Sequence, residues 1–103
     1  MSRSLETNDL FISEEFINAG LSYEELIIYA ILLRSANTDG DIVTSHTAIY
    51  NHSPYGQLKT RRFFDLLVEK RFVSIIIDKP GDLVLTIPGK YIKLFRKYTT
   101  HEA

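Results

Sequence analysis

Apolar residues recur along this chain with two periods, and the change from one to the other divides it into helices and strands. Residues 1–8 carry no apolar periodicity and are expected to be a loose tail, followed by a short extended segment, Asp9-Leu10-Phe11-Ile12. Ser13 as N-cap, Glu14 and Glu15 in a first turn and Gly20 as a stop predict a short helix to about Ala19. Ser22 and Glu25 then form an S-x-x-E capping box, with Leu21 and Leu26 spaced as a hydrophobic staple. The helix they open runs through Leu26-Ile27-Ile28-Tyr29-Ala30-Ile31-Leu32-Leu33, apolar on almost every face, so it is expected to be largely buried. It ends near Ser35–Asn37, before the Asp39-Gly40 turn.

Asp41–Thr44 predicts a short strand, and Ser45 caps a brief helix from His46 to Asn51. A turn rich in Pro, Gly and Asn leads into a longer helix that starts anywhere from Ser53 to Gly56. At about 100° per residue, Thr60, Phe63, Phe64, Leu67 and Arg71 share the side expected to face the core. Leu58, Arg61, Arg62, Asp65 and Glu69 share the other. The β-branched run Phe72–Ile77 predicts a strand. Lys79-Pro80-Gly81-Asp82 suits a type II turn, and Leu83–Ile87 returns as the partner strand. After Pro88-Gly89, residues Lys90 to Tyr98 predict a helix with Tyr91, Leu94, Phe95 and Tyr98 along one stripe.

Composition narrows the chemistry. With 103 residues, 45% hydrophobic and 24% charged, the chain is one ordinary globular domain. It has no cysteine, which excludes disulfides, cysteine-based zinc sites and thiol nucleophiles. No apolar run approaches the ~20 residues of a membrane-spanning helix, and no secretion signal is read at the N-terminus, so a cytoplasmic protein is expected. The net charge of −1 conceals a division. Residues 1–42 carry eight acidic and two basic side chains, and residues 43–103 carry five acidic and ten basic. That asymmetry points the C-terminal part toward a polyanion.

The order of elements is an α+β pattern, the winged helix-turn-helix, with a three-helix core, a two-stranded β-hairpin wing and a C-terminal helix. The expected division is a tail and extended segment over 1–12, a winged-helix domain over 13–89 and a terminal helix and tail over 90–103. Leu21-Ser22 with Tyr29-Ala30-Ile31-Leu32-Leu33 resembles the "LS…YAxLL" stretch of plasmid and phage replication initiator N-terminal domains. Leu67-Val68-Glu69-Lys70-Arg71-Phe72-Val73 is similar to the "LxEKGxI"-like exit of their third helix, shared by many small winged-helix regulators, with Arg71 where Gly is usual. The resemblance covers about residues 21–87. It implies sequence-specific binding of double-stranded DNA by a homodimer with the third helix in the major groove, as a transcriptional repressor or a replication or partition component. A further replication or partition protein is then a possible partner. At this length the chain has no room for the additional domain of a full initiator, which favours a fragment or a stand-alone regulator.

A helix laid in the major groove presents its N-terminal side chains to base edges. Arg61 and Arg62 suit guanine or phosphate, Gln57 suits adenine, and Lys59 and Tyr55 suit phosphate. Leu58 suits a thymine methyl group, or else packs against the preceding helix. The arginines have an alternative in i,i+4 pairs such as Arg61–Asp65 on a solvated face. Thr44, Ser45 and His46 suit a phosphate at the start of the short helix, and plain capping by Ser45 explains the same residues. Lys79 at the hairpin tip suits phosphate or minor groove, although Asp78 and Asp82 offset its charge. The stripe Tyr91, Leu94, Phe95 and Tyr98, beside Lys90, Lys93, Arg96 and Lys97, suits a dimer contact, packing on the domain itself or, less well, a membrane surface.

No catalytic constellation stands out, so no enzyme activity, cofactor or metal is expected. His46, His52 and His101 lack companions at metal-ligand spacing. Glu14-Glu15 and Glu24-Glu25 sit at helix starts, where carboxylates are stabilising anyway, and the five glycines are dispersed at turns. The alternative to DNA binding is a winged-helix module that docks on protein.

Overall fold

The computed structural model describes residues 14–99. The chain forms a helical stretch over 14–18 (α1), then α2 (Tyr23–Ser35), β1 (Asp41–Thr44), α3 (His46–His52), α4 (Gln57–Glu69), β2 (Ser74–Lys79), β3 (Asp82–Thr86) and α5 (Gly89–Thr99). The tail over 1–12 with its extended Asp9–Ile12 segment, the Ser13 cap and His101 lie outside the described residues.

The capping box forms as the sequence predicts. Ser22 Oγ accepts from the Glu25 amide at 3.2 Å, and Glu25 Oε1 accepts from the Ser22 amide at 2.8 Å. Leu21 and Leu26 are both buried beside it. Along α2, Leu26, Ile28, Tyr29, Leu32 and Leu33 enter the core, as expected of a helix apolar nearly all round. Tyr29 is the hub. Its ring meets Phe16 and Phe72 edge to face, each at 5.5 Å, and its hydroxyl donates to the Phe72 carbonyl at 2.8 Å. That bond satisfies a phenol that burial would otherwise penalise.

The sheet has three antiparallel strands in the order β1-β3-β2, so the hairpin expected from sequence gains β1 as a third strand. Ile42, Leu83 and Leu85 turn inward. The opposite face carries one row across the sheet, with Val43 and Ile77 both paired to Val84. Gly40 brings the chain into β1 with φ +88, and a Cβ there would stand 2.6 Å from the Ile87 carbonyl oxygen, so only glycine fits. At the hairpin tip Gly81 has φ +84, as the third position of a type II turn requires.

Three expectations change. The strand predicted from Phe72 starts at Ser74; Phe72 and Val73 are a buried plug ahead of it. Arg71 does not face the core. The helix has ended, Arg71 is exposed with φ 67, and the Phe72 and Arg71 amides donate to the Leu67 and Val68 carbonyls at 2.9 and 3.0 Å. This is a Schellman ending with arginine in the left-handed position that favours glycine. Phe63 is only half-buried, its ring 5.4 Å from that of Tyr55, while Phe64 and Leu67 are enclosed. Those two lie at the centre of the buried side of α4, and Phe63 lies at its margin.

Candidate nucleic-acid interface

The turn between α3 and α4 positions the outward face of α4. Ser53, the C-cap of α3, accepts from the Tyr55 amide at 3.0 Å, and its hydroxyl lies 2.6 Å from that of buried Thr60. The open choice of start resolves to Gly56 as N-cap and Gln57 as first residue. Gly56 has no side chain to cap with, and no side-chain hydrogen bond from the N-cap closes the start of α4.

From this start Gln57, Leu58, Lys59, Arg61 and Arg62 are all exposed, whereas Tyr55 is half-buried against Phe63. Leu58 is 88% exposed, so it does not pack against the preceding helix. A single exposed apolar side chain is ordinary on a protein surface, so Leu58 gains meaning only from the polar and basic neighbours exposed with it. Arg61 makes the anticipated i,i+4 pair, Nε to Asp65 Oδ1 at 3.1 Å, with both side chains about half exposed. The Tyr50 hydroxyl and then the Asp65 carboxylate hold the guanidinium above its ordinary pKa. Surface pairs of this kind are worth about 0.2–0.5 kcal/mol, which a phosphate can outbid.

Beside Arg61 the start of α3 and the hairpin tip enclose a cleft of about 380 Å³, lined by Ser45, His46, Thr47, Arg61, Asp78 and Lys79 among others. Two elements distant in sequence are joined here. His46 Nε2 lies 3.1 Å from Asp78 Oδ1, and the imidazole must be the donor because a carboxylate only accepts. The His46 ring also packs edge to face on buried Phe64 at 5.8 Å. Ser45 caps α3, accepting from the Ala48 amide at 3.1 Å, as the capping alternative anticipated. Thr44 is half-buried at the end of β1, and Lys79 is exposed opposite Asp82.

The structure thus brings Ser45, His46, Arg61 and Lys79 to one cleft, with Gln57, Leu58, Lys59 and Arg62 on the same helix as Arg61. Asp78 and Tyr50 were not singled out as site residues from the sequence. Asp78 is 32 residues from His46, and no local pattern announces a contact at that separation. Of the stripe on α5, Tyr91 turns toward its own chain, with ring contacts to Phe72 at 4.8 Å and to Phe16 at 5.8 Å. Leu94 and Phe95 pack partly against the same core, and the Tyr98 side chain lies outside the described residues. Packing on the domain itself therefore uses part of the stripe.

Among the described residues no cluster of acids and histidines is placed to hold a metal ion, and no helix is long and apolar enough to cross a membrane. Neither a family model, nor a curated protein, nor a solved structure matches the chain.

Proposed function

We propose that the protein is a sequence-specific double-stranded DNA-binding protein that lays α4 in the major groove and acts as a homodimer, in the role of a repressor or of a replication or partition component in the cytoplasm. The order α2-β1-α3-α4-β2-β3, with β1 completing a sheet beside the hairpin, supports a winged-helix reading. The observation that carries the function is the outward projection of Gln57, Leu58, Lys59, Arg61 and Arg62 from one end of one helix. This set offers amide, apolar and guanidinium groups to base edges and phosphates, the mixture that major-groove reading uses. Lys79 flanks them from the hairpin, and a two-fold pair of such units doubles a modest contact area.

Titration of fluorescent duplex DNA at about 50 and about 200 mM salt tests this reading. A loss of affinity with salt, at about 0.9 in logarithmic slope per phosphate contacted, is the expected result. A second reading, a protein-docking module, is favoured by one observation. Ile76 is 61% exposed and Val43 82% exposed on the outer strands of the sheet. Absence of duplex binding at the lower salt leaves that module as the function.

A further inference from the structure

The cleft between Arg61 and Lys79 holds a negative charge that the proposed DNA contact does not need. Asp78 lines it together with those two cations, and His46 fixes the carboxylate there from the opposite wall at 3.1 Å. His46 is itself held, its ring seated on buried Phe64 and tilted over Tyr50 at 6.2 Å, so Asp78 is anchored to a well-packed side chain. The carboxylate remains about two-fifths exposed at the mouth of the cleft. Asp82, the other acid of the hairpin, pairs across from Lys79 and does not line the cleft.

Resting on the DNA-binding reading, we propose that Asp78 is a built-in anionic restraint, standing where a backbone phosphate enters between Arg61 and Lys79 and weakening that contact. A phosphate in this cleft and the Asp78 carboxylate lining it carry like charge and repel each other, and salt screens that repulsion only in part within a Debye length of roughly 10 Å. The restraint acts on backbone contact, which is common to all sequences. It therefore lowers non-specific affinity and leaves the contribution of base contacts from α4 to decide where the protein stays. His46 serves as a positioning residue, because it keeps the carboxylate in the cleft.

The test is the affinity of the full chain for random duplex DNA at about 50 mM salt, comparing wild type with Asp78→Asn and with Asp82→Asn. Asparagine keeps an oxygen that accepts from His46, so geometry survives while charge is removed. Asp78→Asn is expected to tighten binding on the order of fivefold, falling toward twofold as salt rises, and Asp82→Asn to change it by less than about twofold. In an Arg61→Ala background the gain from Asp78→Asn shrinks, because both side chains address one phosphate. Equal effects of the two asparagine substitutions, an Asp78→Asn protein that binds no tighter than wild type, or a gain undiminished by Arg61→Ala overturns the restraint while the DNA reading stands. Failure of wild type and Asp78→Asn alike to bind duplex DNA overturns the DNA reading, and the restraint with it.

Discussion

Lys70 Nζ lies 2.7 Å from Glu25 Oε1, joining the end of α4 to the first turn of α2 across 45 residues of sequence. The same ammonium donates to the Gly20 carbonyl at 3.0 Å. Glu25 is buried, and burial pushes its pKa up. The hydrogen bond from Lys70, the Ser22 amide and the Lys70 charge together outweigh burial and hold it below its ordinary 4.5.

A carboxylate with a lowered folded-state pKa contributes stability above its unfolded value and loses it as pH falls through the folded one. Stability is therefore expected to decline as pH drops below about 4.5, and Glu25→Gln is expected to flatten that decline. Urea unfolding from neutral pH into the acid range measures both. Lys70→Ala, which strips the buried carboxylate of its cation, is expected to cost on the order of 2 kcal/mol at neutral pH, since the ammonium is partly solvated. A Lys70→Ala protein as stable as wild type contradicts this role for the pair.

Arg71 occupies a left-handed backbone position at the end of α4. An L side chain there costs more than glycine does, so Arg71→Gly is expected to stabilise the fold by about 0.5–1 kcal/mol. Thermal melting reads this as a rise of a few degrees, and a fall in midpoint contradicts the Schellman ending.

Phe64 and Phe63 are neighbours in sequence with different surroundings. Phe64 is enclosed and Phe63 is half-covered by Tyr55. Phe64→Ala is expected to cost about 3–5 kcal/mol, most of the stability of a small domain, and Phe63→Ala about half as much. Equilibrium denaturation orders the two, and a reversed order places the core on the wrong side of α4.

Local chemistry made much of this fold legible in the sequence. The Ser22–Glu25 box, the Pro80-Gly81 tip and the Phe64–Leu67 side of α4 each depend on residues within one or two turns, and each forms as expected. Contacts between distant segments left no such trace. The four residues of β1 reveal a strand but not its pairing with β3, about 40 residues on. Glu25 reads as a cap without showing that Lys70 completes its environment. The isoleucines of β2 make a β-branched run that looks the same whether the strand is covered or, as here, exposed at the sheet edge. For the candidate site, the outward face of α4 follows from helical period alone. The cleft that adds Asp78 to it depends on how the hairpin folds back over α3.

The proposed role of α4 in reading DNA depends most on Arg61 and Arg62, both exposed on its outer side. Their replacement by alanine removes the exposed Arg61–Asp65 pair and the contact of Arg61 with the Tyr50 hydroxyl, both at the surface, so the fold is expected to melt within a few degrees of wild type. Duplex affinity of the Arg61→Ala/Arg62→Ala protein, measured by fluorescence anisotropy across salt, is expected to fall at least about tenfold, with the logarithmic salt slope smaller by up to about 1.8. A folded double variant that binds duplex DNA with the affinity and salt slope of wild type contradicts the placement of α4 in the groove.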